Sequence, residues 1–258
     1  MLSILAGFLI LVMFLYGGYS LWDTARIYGN AAVGEELLKY KPTSETEGEH
    51  LSLQELALIN PDTRGWLTIP DTHVDYPVLQ GNDDMEYINK DVFGEFSLSG
   101  SLFLSCRNSS DFSDGYSLIY GHHMEKHMMF GDIGEFTNQN FFNKHHYGNL
   151  YYDGINHGIE FIAIMQLDAY NERAFNVCIS EEAKQEYIKL IDSNSLYKRN
   201  VQISPNDHLV ILTTCTSDMT NGRNVLVGKI TNKTYPEKIK KNKGIGIDIL
   251  NNNTVKLG

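Results

Sequence analysis

The sequence predicts a mainly β domain with short helices, closed or nearly closed into a barrel, behind one N-terminal transmembrane helix. Three observations predict it. Short apolar runs rich in Val, Ile, Leu and aromatics recur between about residues 66 and 230, punctuated by Gly, Pro, Asn and Asp. Within that stretch, the best amphipathic helical segment is 181–191. Residues 1–22, MLSILAGFLILVMFLYGGYSLW, carry no charged side chain. At ~1.5 Å rise per residue they span a hydrocarbon core of ~30 Å.

The elements follow in order. Residues 1–22 form the anchor, with Tyr19 and Trp22 suited to the far interface. A cleaved signal peptide needs a basic start and a small-x-small cleavage site, and Tyr-Ser-Leu-Trp-Asp provides neither. Residues 23–50 are an acidic spacer, partly helical around 35–40, with Arg26, Lys39 and Lys41 against six acids. Basic residues mark the cytoplasmic side of a span. Nothing here holds the spacer inside, so the C-terminal bulk is expected to be extracellular. Ser52-Leu-Gln-Glu55 reads as a capping box opening a helix that Asn60-Pro61 ends.

Residues 51–232 form the folded domain. Strands are expected at 66–69, 74–79, 100–104, 116–120, 150–152, 159–170, 208–214 and 224–230, with a helical turn at 83–88. Short helices broken by Gly131 and Gly134 are expected over 128–142. In the helix at 181–191, Ala183, Tyr187, Ile188 and Ile191 share one face. Residues 233–258 read as a hydrophilic tail.

Composition narrows the function. The chain has 258 residues, 42% hydrophobic and 21% charged, a globular balance. Its net charge of −11 argues against nucleic acid, whose phosphates require clustered Lys and Arg. Three cysteines, 106, 178 and 215, make an odd count at wide spacing and fit no disulfide framework. Cys106 and Cys178 read as small buried hydrophobes.

Cys215 is different. It ends the run Leu209-Val-Ile-Leu-Thr-Thr-Cys215, and Arg223 opens the next run eight residues later. Upstream, Leu118-Ile-Tyr-Gly-His-His-Met124 delivers His122 to another strand end. An acyl-transfer cysteine needs a route to thiolate, a proton donor for the leaving amine, and donors for the developing oxyanion. Cys215, His122 and Arg223 are the candidates for these roles, in that order. The bland readings are a buried strand cysteine, a loop histidine, and an arginine paired with an acid such as Asp218. His123 and His127, at i and i+4, allow a metal reading, but the Glu of a zinc H-E-x-x-H helix is missing.

Taken together, these blocks resemble the sortases, the cysteine transpeptidases of Gram-positive cell surfaces, and most closely class B. The resemblance rests on Asn60-Pro-Asp-Thr-Arg-Gly-Trp-Leu-Thr-Ile-Pro70, Val74-Asp-Tyr-Pro-Val-Leu-Gln80, Gly100-Ser-Leu-Phe-Leu104, Ile119-Tyr-Gly-His-His-Met124, Leu212-Thr-Thr-Cys215 and Arg223-Asn-Val-Leu-Val227. The helix at 181–191 resembles the one that distinguishes class B from class A. The resemblance implies a sortase-type closed barrel and Cys215 attacking a Thr carbonyl in a C-terminal sorting signal of an exported protein. It implies His122 as the acid and base, with His123 as the alternative, and Arg223 on the oxyanion. The acceptor would be an amine of a lipid II-type cell-wall precursor or a pilin lysine. By position, Thr213, Ile88, Tyr187 and Ile188 would line the substrate groove. No metal or organic cofactor is expected. An exported cysteine hydrolase using the same Cys–His pair and a non-catalytic surface barrel are the competing readings.

Overall fold

The computed structural model describes residues 2–31, 35–42, 52–175, 177, 180–216 and 219–235. Helix α1 (Leu2–Ala31) is followed by α2 (Glu35–Leu38), α3 (Leu53–Ile59), β1 (Thr63–Thr68) and β2 (Asp75–Leu79). Then come a 3-10 turn at Glu86–Ile88, β3 (Leu102–Leu104), β4 (Tyr116–Tyr120), a second 3-10 turn at Glu125–His127, α4 (Gly131–Glu135) and α5 (Gln139–Lys144). The long strands follow: β5 (Tyr147–Tyr152) and β6 (Ile155–Asp168), then α6 (Glu172–Phe175), α7 (Glu181–Asn194), β7 (Ser195–Lys198), β8 (Leu209–Cys215) and β9 (Gly222–Thr231).

One sheet holds all nine strands in the order β5-β1-β2-β3-β4-β8-β9-β6-β7, and an added β5–β6 pairing closes eight of them into a barrel. Strand β7 lies outside the closure, on the edge of β6. Closure through β5 covers the first part of β6, and β7 pairs with the edge that remains along its later part. Strands β2–β3 and β4–β8 pair in parallel; the other neighbours are antiparallel.

The period of two sorts each strand between two apolar layers. On β8, Val210 and Leu212 join the barrel interior with Ile119, Phe161 and Leu226, while Leu209 and Ile211 face outward with Leu118, Val225 and Val227. The outward set is covered by α7 through Tyr187, Leu190 and Ile191. A third cluster joins α3 to β1 and the 3-10 turn through Leu56, Trp66, Leu79, Tyr87 and Phe103. Strands buried on both faces read as continuous apolar runs, which is why β8 and β9 stand out in the sequence.

Several elements differ from the sequence expectation, each for a local reason. The capping box is present, with Ser52 accepting from Glu55 N and the Glu55 carboxylate accepting from Ser52 N. Helix α1 continues nine residues past the uncharged stretch, through Asp23 and Arg26, an i,i+3 ion pair at 3.6 Å. Gly131 and Gly134 lie inside α4 rather than breaking it, and a Cβ on Gly131 would meet Met124 O at 2.5 Å. On α7 the buried face is Lys184, Tyr187, Leu190 and Ile191, so Ala183 and Ile188 are only partly covered. Lys184 replaces the expected apolar neighbour because its ammonium donates to the carbonyls of Pro205 and Asp207. The short helix α6 and the edge strand β7 were not expected; β7 alternates half-buried and exposed residues and carries a weak apolar signal. In the tail, Tyr235 packs on the barrel: Asn149 Nδ2 donates to Tyr235 O, and Tyr147 stacks on Tyr235. Cys178, the rest of the tail from 236, and residues 43–51 lie outside the described residues.

Phe161 sits at the centre of the interior, fully buried and edge-on to Phe136 at 5.5 Å. Phe161→Ala is expected to destabilise the fold by about 3–5 kcal/mol in urea denaturation.

Candidate active site

Strand register brings three side chains into one row. In the parallel β4–β8 ladder Tyr120 is the partner of Thr213, and Gly121 N donates to Thr213 O at 3.1 Å. Two residues further along each chain come His122 and Cys215. The ladder itself ends at Tyr120 and Thr213, so the register brings His122 and Cys215 to neighbouring strand ends. Across the other edge of β8, Cys215 pairs directly with Arg223 in the antiparallel β8–β9 ladder. The order across the mouth is therefore His122, Cys215, Arg223, with Cys215 and Arg223 in the outward register of Ile211 and Val225.

Each member is held differently. Cys215 is exposed. Arg223 is half-buried, with Nη1 donating to Gly222 O at 3.1 Å, and among the described residues no carboxylate pairs with it. Asp218, the acid named for such a pair, lies outside the described residues. His122 is half-buried, and its Nε2 lies 2.8 Å from Ile88 O. A carbonyl only accepts, so Nε2 carries the proton and Nδ1 is the free nitrogen.

Two glycines make the histidine's position possible. A Cβ on Gly121 would come within 2.4 Å of Leu102 Cδ2 and 2.6 Å of Phe130 Cδ2. The chain therefore leaves β4 against those side chains only because position 121 has none. Gly100 has φ +58°, and a Cβ there would lie 2.4 Å from Ile88 O, the atom that holds His122. The 3-10 turn carrying Ile88 is fixed in turn by Tyr87, whose hydroxyl donates to Asp62 Oδ2 at 2.7 Å. Burial pushes that phenol up to about 12, so it remains a donor. The sequence marks Gly121 as a strand end and Ile88 as a groove residue. The support that Gly100 and the Ile88 carbonyl give His122 has no sequence signal.

The groove candidates fall into two groups. Ile88 and Ile188 are partly exposed. Thr213 and Tyr187 are each 1% exposed, Tyr187 on the face of α7 that packs against the sheet. Among the described residues the buried Thr213, Thr214 and Tyr187 hydroxyls have no hydrogen-bond partner. Burial raises the Tyr187 and Tyr120 phenols, so both stay protonated at neutral pH.

The remaining candidates separate from the row. His123 and His127 do not share a helix face: His123 forms a bridge with Met129, and His127 Nδ1 lies 2.8 Å from Asp132 Oδ1. Among the described residues no group of three or more His, Cys, Asp or Glu could hold a metal ion. Cys106 is half-buried rather than enclosed. Its amide donates to Asp84 Oδ1 at 2.7 Å, and burial, then the Asp84 charge, pushes its thiol up. It is a poor nucleophile at neutral pH.

Known proteins resemble the chain in sequence and in fold. No protein-family model matches the chain. Sortase B of Listeria monocytogenes is 33% identical over 197 residues, covering 74% of this chain and 79% of that protein. The structure of Clostridium perfringens sortase B superposes with a TM-score of 0.65 at 35% identity, covering 69% of this chain and 99% of that one. A class B sortase of Streptococcus pyogenes involved in pilus biogenesis gives 0.64 at 39% identity, covering 71% and 100%.

Gly100→Ala is expected to cost about 1–3 kcal/mol through the left-handed backbone. By displacing Ile88 O it should also lower any His122-dependent rate by about 10²-fold; thermal melts and initial rates check the two parts. For Cys106, a raised pKa means less thiolate at any given pH. Alkylation followed by peptide mapping should find Cys106 slower than a free cysteine at pH about 8, with its reaction growing at higher pH.

Proposed function

Since the chain belongs to the class B sortases, we propose that it is a membrane-anchored cysteine transpeptidase whose nucleophile is Cys215. The domain of about 51–232 works outside the cell, carried by the anchor and spacer. The observation that supports this reading best is the row His122, Cys215, Arg223 set by the β4–β8 and β8–β9 registers.

The Cys215 thiolate attacks the Thr carbonyl of a sorting signal, forming a C–S bond. His122, whose Nδ1 has taken the proton of the Cys215 thiol, gives that proton to the leaving amine as the C–N bond breaks. Arg223 donates to the oxygen on which negative charge builds, and its always-charged fork suits that role better than lysine. The thioester-like acyl enzyme is then attacked by an acceptor amine. The amine loses a proton to His122, the C–S bond breaks and a new amide remains. The nitrogen of His122 that is free of Ile88 O is the one available for both transfers. Ile88 and Ile188 contact the signal peptide, while Thr213 and Tyr187 shape the floor beneath it. The partners are exported proteins bearing a sorting signal and an amine on a cell-wall precursor or a pilin.

The test is to incubate the full chain in detergent with sorting-signal peptides and a primary amine. Amide product is expected. Hydrolysis alone at saturating amine would make it a cysteine hydrolase, and no acyl adduct with any signal peptide would leave only a binding barrel. Cys215→Ala should abolish turnover with an unchanged melting temperature. Arg223→Lys should lower kcat by about 10²–10³-fold with the fold intact; near-normal kinetics would remove its oxyanion role.

A further inference from the structure

The end of α1 docks on the barrel beside the His122 loop. Ala31 is 1% exposed, and its carbonyl accepts from the Tyr76 hydroxyl at 3.0 Å. That same hydroxyl accepts from Met129 N at 3.1 Å. Tyr28 donates to Glu125 Oε2 at 3.2 Å, and the Lys126 ammonium lies 4.1 Å from the Tyr28 ring centroid. A cavity of about 250 Å³ is lined by Gly29 and Ala31 of the helix, Leu37, and Val92, Phe93 and Met129 of the domain.

Beside that cavity runs a tight turn closed by the Lys90–Phe96 bridge. Asp91 Oδ1 accepts from the amides of Phe93 and Glu95, both at 2.9 Å, and Gly94 takes φ +85°. The turn is thus held by its own hydrogen bonds, yet it presents apolar side chains outward. Phe93 is 40% exposed, Phe96 69% and the nearby Leu98 56%. Three large apolar side chains on one short built turn are not the scattered single exposures of an ordinary surface.

The position of the turn identifies what covers it. Residues Ile4–Gly29 are long and apolar enough to cross a bilayer. The uncharged part of that stretch ends at Trp22, before Asp23 and Arg26, so at ~1.5 Å per residue Gly29 stands about 10 Å past the hydrocarbon boundary, at the outer edge of the headgroups. Gly29, its last residue, lines the same cavity as Phe93. The turn therefore lies on the headgroup side of the span, within reach of the interface that aromatic side chains favour. With a net charge of −11, attraction to an anionic surface is not what would hold the domain there.

We propose that the turn from Lys90 to Leu98, through Phe93, Phe96 and Leu98, is a membrane-docking face that seats the barrel on the bilayer beside its own anchor. The inference rests on the reading of α1 as a membrane span. It holds the His122 loop, which grips the same helix end through Glu125 and Lys126, close to the lipid surface. A substrate or acceptor that is itself lipid-tethered then reaches the site without leaving the membrane.

The full chain in nanodiscs of phosphatidylcholine and phosphatidylglycerol tests this. Benzoylphenylalanine is placed singly at Phe8 in α1, at Phe96, and at Ile155, which is exposed on the β5–β6 hairpin at the opposite end of β6 from Leu167, the strand partner of Arg223. After irradiation, mass spectrometry should find lipid adducts at positions 8 and 96 and none at 155. Adducts at 8 without adducts at 96 would overturn the docking face and leave the span intact. Absence of adducts at 8 would overturn the span and the docking face together, and equal labelling at 96 and 155 would show that the turn is no special face.

Discussion

Everything at the mouth of this barrel depends on the pairing of β8 with two different neighbours. Its parallel ladder with β4 sets the level of Cys215 against His122, and its antiparallel ladder with β9 sets Cys215 against Arg223. A one-residue slip in either ladder would turn a side chain to the barrel interior. Such a slip is opposed by burial on both faces, because Val210 and Leu212 would exchange places with Leu209 and Ile211 in two differently shaped apolar layers. The hydrophobic core and the chemistry are thus the same constraint seen from two ends of one strand.

The polar side of the site is built by small allowances rather than by charges. His122 is oriented by a backbone carbonyl, and that carbonyl has its place because Gly100 has no side chain. Two carboxylates of the supporting layer are occupied: Asp84 binds the Cys106 amide and the Ser105 hydroxyl, and Asp62 binds Tyr87. Leaving Arg223 without a carboxylate partner among the described residues keeps its donors available for a transient negative charge. A paired guanidinium would have to break an ion pair first.

Much of this was legible in the sequence, and the limits are instructive. The runs ending in Cys215 and beginning with Arg223 are visible because strands buried on both faces lose their polar alternation. The capping box at Ser52 and the helix at 181–191 are visible because their signals are local. What failed to show was either non-local or carried by the backbone. The buried face of α7 rotates to include Lys184 because two carbonyls of the 205–207 turn wait for it, which no helical periodicity can reveal. Gly131 and Gly134 suggest helix breaks, yet α4 contains both because close approach to Met124 demands a residue without a side chain at 131. The continuation of α1 beyond Trp22 was hidden by Asp23 and Arg26, whose charges offset each other one turn apart.

The parallel β4–β8 ladder joins segments separated by about ninety residues, so the contacts that align the row are among the most distant in the chain. Such pairings pay their loop-closure entropy before they gain any stability, and they form late in folding. A chain emerging N-terminus first presents His122 long before Cys215 exists beside it, and Arg223 later still. The row is therefore silent in every partly emerged form of the domain. The proposed chemistry can arrive only with the last two strands, when the barrel closes as well.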